Sequence, residues 1–393
     1  MRMKFKLIIA ISVFLIFSCS EEHEVNSEPK YKLVLQDSVK LDIGLEPQFV
    51  SKKISGDVLT YTRIDQTFQI FSRSGKLLNS FNRIGEDAES YSKYVYGAGI
   101  INGKLYLLDI SKVHAYNLSG NHLWSQKYDN RTPNTFGGNI PGEFQMLNDS
   151  MWVNPVISSG VVSFHKEKRA ILDTLKTIEI YGLHGANQKS VQVDEFGFEE
   201  GSLYLEDLIY PNFLPVVEAA SNGLWVAYPY ELALHFYEYE KGERRHKTYN
   251  IELNKFKVPR GAEEIELIDP MNKTAPRLTG INSRILKLYA IGTDKLFILY
   301  KTGVPDNRRF EESLVPFYHE SKFLGAIFQD GEIVSSGIEM PTGGFQYKNA
   351  DRYVYMGNDQ WMFLQENSIE KDDYTAHIYK LKPMGSLKEE KTQ

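Results

Sequence analysis

Six times along this chain a turn pair of Asn, Ser or Thr with Gly or Asp runs into a short apolar and aromatic strand. The copies are "SGDVLTY" from Ser55, "NGKLYLL" from Asn102, "NDSMWVN" from Asn148, "NGLWVAY" from Asn222, "TDKLFIL" from Thr293 and "NDQWMFL" from Asn358. A unit repeated at this interval folds as one module, and modules of this kind stack. In two of them the strand is followed by a second hairpin, "FQIFSRSGKLLNSF" from Phe68 and "VHAYNLSGNHLWSQ" from Val113, with tight turns at Gly75 and Gly120; "LHFYEYEKGERRHKTY" from Leu234 is a third such hairpin. Glycine supplies the positive φ that these turns need.

Between residues 31 and 382 no long segment places apolar residues at helical spacing, and short alternating or apolar runs between turn residues dominate. The 24 Tyr, 22 Phe and 4 Trp are the rings that sheets accommodate best. The fold class is therefore all-β. One small sheet cannot bury both of its faces, whereas several sheets arranged around an axis can, which leads to a β-propeller. The first repeat intervals are 47 and 46 residues, close to one four-stranded blade, and the later ones are 74, 71 and 65, so the later modules carry long connections. Six blades are expected. "EGSLYLEDL" from Glu200 fits the pattern loosely and leaves seven open. "YKLVLQ" at 31 to 36 and "AHIYKLK" at 376 to 382 are strand-like and lie at opposite ends of the chain. Pairing them in one blade closes the ring and hides an edge.

The blade sequence "FQIFSRSGKLLNSFNRIGEDAESY", Phe68 to Tyr91, resembles the repeats of NHL-type and related six-bladed propellers, with Ser72 where those repeats often carry Asp and Glu86 to Glu89 in place of their Gly-rich link. The resemblance implies a fold and brings no catalytic residues.

The N-terminus reads as an export signal. Arg2, Lys4 and Lys6 precede the apolar run Leu7 to Phe17, which is too short to span a bilayer as a helix. Ile16, Phe17, Ser18 and Cys19 then resemble a bacterial lipobox, in which the Cys becomes the acylated first residue of the mature protein. Cys19 is the sole cysteine of the chain, so a disulfide is not its purpose. Ser20, Glu21, Glu22, His23 and Glu24 are similar to the acidic export signal of surface lipoproteins of the Bacteroidetes, which implies an outer-membrane anchor facing the cell exterior. Taken whole, a lipobox followed by such strands resembles the six-bladed propeller lipoproteins of that group, including a family known as a domain of unknown function. The expected organisation is a signal peptide over 1–18, a lipidated tether over 19–30, a propeller over 31–383 and a polar tail over 384–393.

Loss of residues 1–18 removes three positive charges and takes the formal charge from −6 to −9. An acidic body argues against nucleic acid as a partner. The nine His include no H-E-x-x-H pair, there is no G-x-S-x-G, and the sole thiol is the lipidation candidate, so hydrolytic chemistry has no local motif. "GAGIINGKL" at 97 to 105 lacks the spacing of a phosphate loop and is read as a turn into a strand. The acids Asp194, Glu195, Glu199 and Glu200 form an oxygen-rich run that could hold calcium but lacks the D-x-D-x-D-G spacing; otherwise no cofactor is expected. Tyr210, Asn212 and Phe213 in "YPNFLP", with Phe345 and Tyr347 in "PTGGFQYKNADRYVY", are candidate ligand loops, since loop aromatics suit sugars and peptides. The expected function is a non-catalytic binding module for a glycan, a peptide or an envelope protein. The alternatives are an accessory subunit of an outer-membrane complex and a propeller enzyme with its site in the central funnel. Fold alone does not choose among them.

Overall fold

The computed structural model describes residues 28–52, 56–129, 141–156, 174–184, 188–208, 210, 214–221, 223–240, 243–259, 261, 282–303, 321–341, 352–365 and 374–387. Cys19, the acids that follow it, and Asn212, Phe213, Phe345 and Tyr347 lie outside the described residues.

Six antiparallel sheets form the six blades of a β-propeller. Blade 1 holds β2 (Pro47–Lys52), β3 (Val58–Thr62), β4 (Thr67–Phe71) and β5 (Leu77–Phe81). Blade 2 holds β6 (Val95–Ile101), β7 (Lys104–Asp109), β8 (Lys112–Asn117) and β9 (His122–Lys127), and β10 (Gly142–Glu143) adds to β6 in parallel. Blade 3 holds β11 (Gln145–Asn148), β12 (Met151–Pro155), β13 (Lys176–Gly182) and β14 (Gln192–Gly197). Blade 4 holds β15 (Val216–Ala220), β16 (Gly223–Ala227), β17 (Ala233–Glu240) and β18 (Glu243–Asn250), and blade 5 holds β19 (Arg284–Ala290), β20 (Lys295–Lys301), β21 (Phe323–Gln329) and β22 (Glu332–Glu339). Blade 6 is assembled from both ends of the chain, in the order β1 (Tyr31–Leu41), β25 (Tyr374–Pro383), β24 (Gln360–Leu364) and β23 (Tyr353–Gly357). The expected closure is thus present: Tyr31 pairs with Pro383 and Leu33 with Leu381.

The seven-blade alternative is excluded by the segment that raised it. Leu203–Leu205 is a 3-10 turn, not a strand, because the Ser202 side chain accepts the Tyr204 N–H and Gly201 takes a φ of +83°. Tyr204 is then drawn into the core. The "N-G" signal at 102 behaves as its chemistry dictates: Asn102 and Gly103 adopt φ of +50° and +73°, the twist that joins β6 to β7 without splaying them.

Apolar burial is organised by junction. Six clusters of buried side chains each join two neighbouring blades, for example Tyr61 and Phe68 with Leu105 and Tyr116 between blades 1 and 2, and Phe49 and Phe71 with Met362 and Ile378 between blades 6 and 1. Most large rings are spent here: Tyr128, just after β9, meets Trp152 on β12 edge-on at 5.3 Å between centroids, and Phe297 on β20 meets Trp361 on β24 at 4.7 Å. Burying one such side chain is worth about 1.5–3 kcal/mol, so the ring is held by its blade-to-blade contacts more than by any one sheet.

Candidate functional site

Strand alternation fixes which end of the propeller carries which connections. In each blade the first and second strands are joined at one end by short hairpins, such as 102–103 and 358–359; the second-to-third turns and the links to the next blade leave from the opposite end. The longest connections between consecutive strands, 156–175, 198–215, 251–283 and 302–322, all start and finish at that second end. Four exposed apolar side chains stand on its shorter connections in adjacent blades: Ile64 between β3 and β4, Ile84 and Tyr94 between β5 and β6, and Ile110 between β7 and β8.

Around the axis the first strands are tied together by polar side chains. Ser51 Oγ on β2 donates to Glu143 Oε1 on β10 at 3.0 Å, and Gln145 Nε2 on β11 donates to Glu218 Oε2 on β15 at 3.3 Å. Gln145 Oε1 accepts the Ala219 N–H at 3.2 Å, and Glu218 Oε1 accepts the Ala290 N–H on β19 at 2.8 Å. These bonds span the junctions between blades 1 and 2, 3 and 4, and 4 and 5. Close approach is also required of Gly99, where a Cβ would come within 2.9 Å of the Phe144 carbonyl oxygen.

A second polar system recurs inside the blades. The third strand of five blades carries an apolar residue, a polar residue, an apolar residue and a ring: Phe68-Gln69-Ile70-Phe71, Val113-His114-Ala115-Tyr116, Ile178-Glu179-Ile180-Tyr181, Leu234-His235-Phe236-Tyr237 and Ala376-His377-Ile378-Tyr379. Register places a hydroxyl opposite the polar position in four of these: Ser80, Ser125, Thr248 and Ser38. Blade 3 has Glu195 there instead. In blade 5 the polar residue is replaced by Ala326, opposite Ser336, and the Tyr300 hydroxyl fills the gap, 3.1 Å from Ser336 Oγ.

In blade 2 this system has the composition of a catalytic triad. Asp109 Oδ2 is 3.1 Å from His114 Nε2, and His114 Nδ1 is 2.8 Å from Ser125 Oγ. The rest of the geometry is that of a turn lock. Asp109 also accepts the N–H groups of Ser92, Ser111 and Lys112 at 3.0, 2.9 and 2.8 Å, which pins the turn between β7 and β8. His122 Nε2 holds Ser125 Oγ from its other side at 2.7 Å. Burial alone would raise the Asp109 carboxyl, but the His114 bond and the backbone donors outweigh it and hold it below the ordinary aspartate range. In blade 6 the same place is taken by Ser38 Oγ and Gln365 Oε1 on His377, at 2.7 and 2.5 Å. Repetition in register across blades identifies a structural device.

The acidic run is placed on the outer strand of blade 3 and the link to blade 4. Asp194 receives Arg244 Nη1 at 2.9 and 3.0 Å and the Tyr239 hydroxyl at 3.0 Å; Arg244 also lies 4.7 Å over the Phe196 ring. Glu199 accepts the Tyr237 hydroxyl at 2.7 Å and faces His246 Nδ1 at 3.5 Å. Gln192 donates to Glu195, while Glu200 is exposed. The run therefore splits among separate partners instead of converging, and among the described residues no three His, Cys, Asp or Glu form a metal-ready group. Tyr210 is buried against Tyr204 and Tyr230 in the core between blades 3 and 4, which leaves it no ring face for a ligand. At the long-connection end of blade 5, burial with the Arg284 guanidinium alongside pulls the Lys301 amine down to about 7. Arg352, just before β23, is paired with Glu46.

Against solved structures the agreement is one of shape. The chain shares its fold with proteins of Bacteroides. A member of the DUF4221 family from Bacteroides vulgatus superposes with a TM-score of 0.61 at 12% identity, covering 91% of this chain and 100% of the other. A Bacteroides fragilis chain described as a "Putative exported protein" superposes at 0.52, again with 12% identity, covering 92% and 98%. No family model matches the chain, and no curated protein does. At this identity the likeness carries the architecture and no residue roles.

The third-strand motif is what sequence reasoning missed. Three of the nine His occupy one structural position, and "VHAY", "LHFY" and "AHIY" advertise it. They were invisible to a search for metal or catalytic spacing because the partners lie on other strands.

Proposed function

We propose that this chain is an envelope lipoprotein, anchored through acyl groups on Cys19 at the outer membrane, whose propeller is a non-catalytic module that binds a peptide or an envelope protein through its long-connection end. The observation that carries this reading is the concentration of long connections on one end together with the exposed Ile64, Ile84, Tyr94 and Ile110 on the same end. Polar groups of the first strands support it, because Ser51, Glu143, Gln145 and Glu218 engage one another across junctions. The export signal and the likeness to a Bacteroides chain described as exported agree with an envelope address.

The test is thermal unfolding of the full chain against peptides, glycans and envelope extract, since a ligand of the native state raises the midpoint. A shift that Ile64→Asp with Ile110→Asp abolishes supports the reading. A shift from glycans alone, untouched by that double variant, moves the site to the candidate sugar loops. The accessory-subunit alternative has its own observation: Leu77, Leu78, Leu123 and Val193 are exposed on the outermost strands of blades 1 to 3. A partner whose capture depends on those four and not on Ile64 and Ile110 would favour it.

A further inference from the structure

The chain joins its propeller beside the short hairpins. β1 begins at Tyr31, and the Lys295 amine, next to the β19–β20 hairpin, lies 5.3 Å over the Tyr31 ring. Leu381, which pairs with Leu33, donates its N–H to the Asp359 carbonyl oxygen in the β23–β24 hairpin at 2.8 Å. The Met384 N–H reaches the Lys30 carbonyl oxygen at 2.8 Å. The start of β1 and the finish of β25 are therefore both tied to the end with the short hairpins, opposite the end that carries the long connections and Ile64, Ile84, Tyr94 and Ile110.

Eleven residues, 20–30, separate Cys19 from β1. A coil of that length has an average reach of about 17–20 Å, and about 40 Å at full stretch. The 7 residues of β6 alone rise about 23 Å. A lipid on Cys19 thus brings the short-hairpin end to a membrane at ordinary extension, whereas the opposite end reaches it only with the tether pulled nearly straight along the flank of the ring.

Charge agrees with that geometry. On blades 6, 1 and 2 the short-hairpin end carries Lys30, Lys32, Lys382, Arg73, Lys76 and Lys104, against the acids Glu28, Asp57 and Asp359. Arg73 is held at this end by its bond to Gln360, the first residue of β24, and by its place beside Gly56. The matching hairpins of blades 3 and 5 carry Asp149 and Asp294, and the β21–β22 turn carries Asp330. A basic sector on an acidic chain is thus centred on the blade where the tether joins, with the exposed Met384 next to Lys30. Lys and Arg grouped around an apolar side chain suit a surface of anionic headgroups, whose field acts within a Debye length.

We infer that the short-hairpin end, through the basic sector of blades 6, 1 and 2, rests on an anionic lipid surface and that the long-connection end faces away from the membrane. The inference rests on the acyl anchor proposed above and adds which face of the ring meets lipid. The surface around Ile64 and Ile110 is then open to a partner from the medium, with no bilayer in its path.

The experiment is fluorescence quenching of the acylated full chain in vesicles of phosphatidylcholine and phosphatidylglycerol that carry a quencher on the headgroup. Cys19 is the sole cysteine and its sulfur is taken by lipid, so one introduced thiol takes one dye. Ser74→Cys marks the basic sector and Glu86→Cys the long-connection end, and both positions are exposed. Quenching is expected to be several-fold stronger at position 74 than at position 86. Reversing two exposed charges, Lys76→Glu with Lys104→Glu, should at least halve that excess. A chain that does not float with the vesicles would refute the anchor and the inference with it. A chain that floats but is quenched equally at the two positions, more strongly at position 86, or without regard to the charge reversal would overturn the inference alone.

Discussion

Buried polar residues in this protein act as locks whose value depends on charge state. Asp109 accepts three backbone donors and an imidazole, so Asp109→Asn leaves part of that set unmatched and should cost about 1–3 kcal/mol, measured by denaturant unfolding. Its folded-state pKa is depressed, so the stability it contributes is present above the ordinary aspartate range and is lost as pH falls through the lower folded value. The unaltered chain should therefore weaken in acid more steeply than the Asn variant. Lys301 has the opposite sense. Its amine is pulled down to about 7, so between that value and the ordinary lysine range the unfolded chain binds more protons and stability rises with pH. Lys301→Met should flatten that rise, which chemical denaturation at a series of pH values between neutral and mildly alkaline reads directly. None of these residues was legible as special in the sequence, because the groups that tune them come from neighbouring strands and turns.

At the scale of the element, the turn–strand repeat was readable because local chemistry dictates it. Asn102-Gly103 and the six apolar strands became hairpins at the expected places. "EGSLYLEDL" misled because apolar content alone does not make a strand: Ser202 caps a 3-10 turn and Tyr204 is buried between blades. Gly75 shows how an element is constrained by its neighbour. It sits at φ +83° in the turn between β4 and β5, and a Cβ there would come within 2.2 Å of the Lys40 carbonyl oxygen on β1. Gly75→Ala should cost about 1–3 kcal/mol and loosen the edge where blade 6 closes onto blade 1, seen as faster amide exchange in β1. The third-strand motif was written in the sequence but carried no known spacing, so its meaning appeared only in register.

For the whole molecule, the propeller follows from sheets that cannot bury themselves, and ring closure follows from strand-like ends. Both were legible. The end of the ring proposed here to bind a partner was not, since it depends on strand direction around the axis and on which connections are long. The proposed role rests on that asymmetry. The measurement that tests it most directly is amide hydrogen exchange of the full chain with and without the partner retained from envelope extract. Protection is predicted at Ile64 and its turn, at Ile84 to Tyr94 and at Ile110, with the hairpins at 102–103 and 358–359 unchanged. Protection confined to those hairpins or to the outermost strands would contradict the account.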